Sequence, residues 1–243
     1  MRDLRYVLFD LDGTIWESGP GITRSVQYAL RFVGIEEPDL DNLTSFIGPP
    51  LNIEFSRRFH LNAEQTELAI RKFRERYDDQ GVYECELYPG VRSMLEMVKD
   101  AGLILAASSG KPQPLVDRLM EHFGIQDAFR MMVGGRYEDE LTNKTGVDNK
   151  QRIIKETLRR LSEQDGLSGG PGELSLAAGQ AVMVGDTKYD VIGALRNDVH
   201  PIGAAYGYGG RKELEQAGAE DIAEDVPELT RMLLRMREGK ELL

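Results

Sequence analysis

The chain has 243 residues, 41% of them hydrophobic, with 30 basic and 41 acidic side chains and a net charge of −11. That length allows one large domain, or one domain with a smaller insert, around a sizeable core. So acidic a surface disfavours nucleic acid or anionic lipid as a partner, and any phosphate site must be made locally positive by a cation, a lysine and backbone N–H groups. The single cysteine, Cys85, permits no internal disulfide and reads as apolar filler. No apolar run approaches a membrane span, and Met1–Arg5 leads into a strand with no signal-peptide stretch before it. A soluble cytoplasmic protein is expected; nothing in the sequence fixes its oligomeric state.

Tyr6–Phe9 is a short continuous apolar run ending in charge, the pattern of a strand buried on both faces of a parallel sheet. Leu103–Ala107, Met131–Val133, Ala181–Val184 and Pro201–Ala205 repeat it. Helical stripes fall between them: Val91, Met94, Leu95 and Val98; Leu115, Leu119 and Phe123; Ile153, Ile154, Leu158 and Leu161; Val191, Ile192 and Leu195; and Leu229, Leu233 and Met236. Strands alternating with helices predict an α/β fold with a doubly wound parallel sheet. Residues 15–88 break the alternation, with helical patterns and no convincing strand. Ile22, Val26 and Leu30 mark one helix, Pro49-Pro50 opens a second, and Asn62 with Gln65 forms a capping box before a third. The expected organisation is therefore a Rossmann-like core over 1–15 and 89–243 and an all-helical cap over 16–88. Hinges are expected at Ser18–Gly21 and Leu87–Gly90. The glycine-rich stretch 166–172 lacks a preceding strand and a Gly-Lys-Ser/Thr ending, so it reads as a flexible surface connection and not a phosphate loop.

Four places carry chemistry. Asp10 and Asp12, in Asp10-Leu11-Asp12-Gly13-Thr14, follow the first strand, where ligands of open α/β sheets bind. Two like charges held close together are costly unless a cation or partners compensate. Ser108-Ser109-Gly110-Lys111-Pro112 offers a hydroxyl, a glycine N–H and a helix start, which together suit an anion, although strand ends often carry Ser and Gly as plain turn residues. Asp148 reads as a helix N-cap, which sets Lys150 in the first turn against the helix dipole; Lys144 is the competing lysine. Asp186 follows the strand Ala181–Val184 and a glycine, and Asp190 lies one helical turn on. Carboxylate oxygens of this kind suit Mg²⁺.

Taken together, acid pair, hydroxyl, lysine and acid in this chain order resemble the haloacid dehalogenase superfamily, in its branch with a helical cap after the first strand. The resemblance spans essentially the whole chain. It is closest to phosphoglycolate phosphatase-like and 5′-nucleotidase-like proteins, with Phe46–Leu51, Gly185–Ala194 and Tyr206–Leu214 also in keeping. It implies a Mg²⁺-dependent phosphatase of small-molecule phosphate esters working through a phosphoryl-aspartate. In that scheme Asp10 is the nucleophile and Asp12 the general acid/base, whose backbone carbonyl also meets the metal. Ser109, Gly110 and Thr14 hold the phosphoryl group, and Lys150 steadies nucleophile and phosphate. Asp186 ligates the metal with Asp190 in support, while Gly48 and Pro49 face the substrate from the cap. The chain departs from its relatives at Ser108, an extra hydroxyl, and at Glu17, where they often carry Asp. A sugar-phosphate mutase is the enzyme alternative, and a phospho-acceptor or silent binding protein the non-enzymatic one.

Overall fold

The computed structural model describes residues 4–139, 146–166, 172 and 177–239. Lys144 and residues 167–171 of the glycine-rich stretch lie outside them. Six parallel strands form the main sheet: β1 (Tyr6–Phe9), β4 (Ile104–Pro112), β5 (Met131–Gly135), β6 (Ala181–Gly185), β7 (His200–Ala204) and β8 (Asp221–Ala223), in the spatial order β5-β4-β1-β6-β7-β8. All four β1 residues are buried, and they alternate between two cores. Val7 and Phe9 face Val91, Leu115 and Leu229 of α4 (Val91–Asp100), α5 (Gln113–Phe123) and α9 (Val226–Arg237). Tyr6 and Leu8 face Ile153, Ile154, Leu158 and Leu161 of α6 (Gly146–Gln164). This two-sided burial is why the strand is apolar throughout rather than alternating. Two further helices, α7 (Lys188–Leu195) and α8 (Gly210–Ala217), cover the β6–β8 edge through Val191, Leu214 and Ile222. β8 has no counterpart in the sequence reading, because three residues opening on Asp221 give no apolar run.

Between β1 and α4 the chain builds α1 (Gly19–Arg31), a 3₁₀ turn (Leu40–Phe46), α2 (Leu51–Phe59) and α3 (Ala63–Tyr77). The Asn62–Gln65 capping box opens α3 with both of its hydrogen bonds. Val26, Ala29 and Leu30 of α1 share one apolar cluster with Ala69, Ile70, Phe73 and Tyr77 of α3. One expectation needs correction. A two-residue antiparallel ribbon, β2 (Trp16–Glu17) with β3 (Glu86–Leu87), ties together the chain entering and leaving the helical insert. It is too short to show period-two alternation. Within the expected hinge stretch Ser18–Gly21, α1 begins at Gly19 with Pro20 in its first turn. A Cβ on Gly21 would lie 2.0 Å from the Gly81 carbonyl oxygen, so this glycine allows a close backbone contact.

Candidate active site

The order β4-β1-β6 puts three strand ends side by side, and the register pairs Phe9 with both Ala107 and Val184. Asp10 and Asp186 therefore leave the sheet at nearly one level on its carboxyl edge, beside Ser109, which lies in β4 just past its last pairing with β1. Lys150 reaches the same place from α6. Its Nζ lies 2.8 Å from Asp10 Oδ1 and 2.7 Å from Asp190 Oδ1, and it donates to the Ser108 carbonyl at 3.2 Å. It is the fifth residue of a helix that begins at Gly146, so Asp148 is not the N-cap; Asp148 instead pairs with Arg196 at 3.0 Å. Asp190 Oδ2 accepts from the Thr187 amide and hydroxyl, at 3.1 and 2.8 Å.

Asp10, Asp186 and Asp190 are buried, and each offers an oxygen within 4.8 Å of the others'. One lysine faces three carboxylates. Burial, outweighing the Lys150 ammonium, raises Asp10 to about 6. Asp186 is pushed well above its usual range by burial, then by Asp190 and Asp10. A divalent cation among these oxygens would relieve that repulsion, and an all-oxygen donor set suits a hard ion. Lys150 and Thr187 between them engage both oxygens of Asp190, and Lys150 also holds Asp10 Oδ1. Gly13 adopts a positive φ of 82°, and a Cβ there would lie 2.1 Å from Asp186 Oδ2, so only glycine lets the turn pass this close to the acid.

Asp12 lines a cavity of about 130 Å³ between the sheet edge and the helical insert. Lys111 Nζ holds both its oxygens, at 3.0 and 2.9 Å, and Trp16 Nε1 donates to Oδ1 at 2.8 Å. Burial, the largest single influence, pushes the Asp12 carboxyl up, but the Lys111 charge and the hydrogen bonds from Lys111, Trp16 and Ser18 together outweigh it and hold the carboxyl below its usual range. Lys111 also donates to the Tyr77 hydroxyl of α3 at 2.6 Å, so the insert and the sheet edge meet over Asp12. Burial drives the Tyr77 phenol up to about 12. Nearby, Tyr137 donates to Asp78 at 3.1 Å and Arg118 to the Asp78 carbonyl at 2.5 Å, docking the end of α3 on the core.

Ser109, Gly110, Gly48 and Pro49 all line this cavity with Asp10, Asp12 and Lys150. Ser108 does not: its hydroxyl is buried against Thr157 at 3.1 Å. The expected phosphate contact from Thr14 is not what the structure has. Thr14 is fully buried, off the cavity wall, with its hydroxyl turned to Asp186 at 3.4 Å. Lys111, Tyr77, Arg74, Asn149 and Tyr189 line the cavity without having been singled out in the sequence. Of these only Lys111 carried a signal, as the cation two residues after Ser109.

The comparisons with known proteins agree with this geometry. The haloacid dehalogenase-like hydrolase family matches residues 7–204. A 5′-nucleotidase of Pseudomonas aeruginosa is 35% identical over 237 residues, covering 96% of this chain and 99% of that protein. Tyrosine-protein kinase PtkA of Mycobacterium tuberculosis is 32% identical over 203 residues, covering 84% of this chain but only 62% of its own length. A crystal structure of a predicted phosphatase from Clostridium acetobutylicum superposes with a TM-score of 0.81 at 35% identity, covering 96% of this chain and 99% of that one. Among the described residues no helix is long and apolar enough to cross a membrane. With its acid pair, lysine and metal-competent carboxylates on one sheet edge, the chain belongs to the haloacid dehalogenase-like hydrolases and is a phosphatase of that family.

Proposed function

We propose that this enzyme is a Mg²⁺-dependent phosphomonoesterase that works through a phosphoryl group on Asp10, with nucleoside monophosphates as its favoured substrate class. One observation carries the reading: Asp10 and Asp12 line a single cavity, yet each is bonded to a different lysine, Lys150 and Lys111. Two carboxylates two residues apart are thereby prepared for two jobs. Asp10 attacks phosphorus in line, which splits one hard displacement into two easier ones. Lys150 holds the attacking oxygen and balances charge on the phosphoryl group, and Ser109 donates to a phosphoryl oxygen. Asp12 delivers a proton to the leaving alcohol and then takes one from the water that hydrolyses the phosphoryl-aspartate. Asp10, Asp186 and the Asp12 backbone carbonyl would hold the ion, with Asp190 fixing Lys150. When bound, Mg²⁺ neutralises charge on the transferring phosphoryl oxygens and orients them for in-line attack.

The wall facing Asp12 supports the substrate class. Phe46, Phe73, Tyr77 and Tyr189 supply aromatic surface, and Arg74 and Asn149 polar groups. Such a wall suits the flat base of a nucleotide better than a two-carbon acid, and the P. aeruginosa relative is named a 5′-nucleotidase. Phosphoglycolate is the competing substrate. A tyrosine-kinase relative keeps a second reading in view, in which the phosphoryl group passes to a protein hydroxyl instead of water. A panel of 5′-nucleotides, phosphoglycolate and glucose 1-phosphate decides, read by released phosphate and by any isomerised sugar phosphate, with ATP and a tyrosine peptide as a separate arm. Highest kcat/KM on a nucleotide with phosphate release supports the proposal. Preference for phosphoglycolate overturns the substrate class. Isomerisation or peptide labelling without phosphate release overturns the phosphatase mechanism.

A further inference from the structure

The loop Tyr206–Gly209 follows β7 and takes no part in the chemistry above, yet it touches the cation site and both ends of the helical insert. The Tyr208 amide donates to Asp186 Oδ2 at 2.9 Å, and the Gly209 amide to the Asp186 carbonyl at 3.2 Å. The Tyr208 hydroxyl donates to Glu17 Oε1 at 2.5 Å and accepts from the Gly19 amide, the first of α1, at 2.7 Å. Glu17 Oε1 also accepts from Gly19 at 2.9 Å, which closes a three-group knot where the chain enters the insert. On the return side Tyr206 packs edge-on against Tyr88, with ring centres 5.1 Å apart, and donates to the Thr14 carbonyl at 3.0 Å. The loop has no slack: a Cβ on Gly207 would lie 2.3 Å from Asp186 Cβ and 2.4 Å from the Gly13 carbonyl oxygen. Burial, and then the bond to Glu17, hold the Tyr208 phenol above its ordinary range, so it remains a donor throughout the neutral range.

We propose that Tyr208 is a positioning residue that couples the seating of the Glu17–Gly19 linker to the orientation of Asp186. One residue bonds the acid through its backbone and the linker through its side chain. When the insert swings away, Glu17 and Gly19 move with α1, and the phenol must either release them or draw the loop off Asp186. Coupling of this kind is reciprocal in binding free energy. A cation that fixes Asp186 therefore steadies the linker, and a seated linker tightens the cation. The Glu17 side chain supplies the reach, since its Oε1 meets both the phenol and the Gly19 amide. The inference rests on the proposed cation site at Asp186 but not on any particular substrate.

The test uses the full chain as wild type, Tyr208→Phe and Glu17→Gln. Two quantities are measured: the Mg²⁺ half-saturation of p-nitrophenyl phosphate hydrolysis, and amide hydrogen exchange of the 17–24 segment in EDTA and in Mg²⁺ alone. In wild type, Mg²⁺ slows exchange in the linker. Tyr208→Phe keeps the ring but loses the hydroxyl; it abolishes that Mg²⁺-linked protection and raises the half-saturation about fivefold or more, the range of ordinary coupling energies. Glu17→Gln retains an acceptor and recovers part of both effects. A tyrosine that only packs would lower the melting temperature and leave both readouts at wild-type values, and that result overturns the proposal. Linker exchange in wild type that is indifferent to Mg²⁺ overturns it as well. Absence of phosphate release from wild type, with Mg²⁺-linked protection intact, would instead overturn the phosphatase mechanism and leave the coupling standing.

Discussion

Replacing Lys150 by Met removes the one cation among the described residues that is bonded to Asp10 and Asp190 and leaves a side chain of similar length. Lys150 is 6% exposed, and its Nζ makes three contacts between 2.7 and 3.2 Å. Burial alone would lower its ammonium pKa, but Asp10 and Asp190 outweigh burial and raise it, so the ion pair is complete at neutral pH. Breaking a buried pair by removing one partner costs ~3–5 kcal/mol. At about 2–4 °C per kcal/mol for a chain of this size, the metal-free variant should melt roughly 6–20 °C below wild type at pH 8. The pH dependence separates charge from packing. A carboxyl whose folded pKa is raised, as Asp10's is to about 6, favours the folded state below its unfolded value of 3.8; that advantage is lost as pH rises through the folded value. Without Lys150 the carboxyl rises further, so the deficit should be small at pH 5 and grow toward pH 8. Thermal unfolding in EDTA at both pH values is the assay, and Asp190→Asn in the same background should recover part of the loss. A deficit under about 1 kcal/mol at pH 8, or one equal at the two pH values, would refute the reasoning.

Asp12→Asn should lower kcat by ~10²–10⁴, the worth of a general acid/base, in steady-state assays with a nucleotide. Tyr77→Phe deletes the bond to Lys111, and its cost to stability should be about 0.5–1.5 kcal/mol by denaturant titration. The acid limb of kcat/KM should fall below a pH of about 6 at low Mg²⁺ and move to lower pH as Mg²⁺ rises, because a cation favours ionised Asp10. A limb fixed in position across the Mg²⁺ series would count against Asp10 as its source. Gly48 has a φ of 98°, and a Cβ there would lie 3.1 Å from Thr187 Cγ2. Gly48→Ala should therefore cost ~1–2 kcal/mol and raise KM, by distorting a cavity wall where insert and core meet.

What could be read from the sequence depended on how local the signal was. β1 and β6 are apolar throughout because helices cover both faces of the sheet, and a ligand site beyond such strands follows from topology alone. The Asn62–Gln65 capping box spans four residues and is equally plain. β8 was hidden because its pairing with β7, and not its own pattern, makes it a strand. Asp148 misled because any acid three residues before a glutamine imitates a cap. Lys111–Tyr77 and Tyr208–Glu17 span 34 and 191 residues, so no spacing rule connects them. At Gly21 the small residue also permits the close approach to the Gly81 carbonyl, a contact that no local pattern announces.

The ion pair between Lys111 and Asp12 bears on the order of events in the proposed reaction. An acid must carry a proton, and a carboxylate with an ammonium at 2.9 Å gives it up. With the insert docked and the cavity free of substrate, Asp12 is therefore ionised, the state that takes a proton from water and not the state that protonates a leaving group. For the first half of the reaction Lys111 must turn to another anion, and an incoming phosphoryl group supplies one in the same cavity. Once Lys111 binds those oxygens, the largest influence opposing burial is gone and only the Trp16 and Ser18 hydrogen bonds remain, so the Asp12 pKa rises and a proton is held where the leaving oxygen needs it. Phosphate release returns Lys111 to Asp12. A Lys111→Met enzyme should accordingly keep Asp12 protonated to higher pH. The basic limb of its leaving-group step should shift upward, while hydrolysis of the phosphoryl-aspartate slows, and single-turnover measurements that resolve the two steps would show opposite pH trends. Two steps that change in parallel would mean that Lys111 only binds substrate.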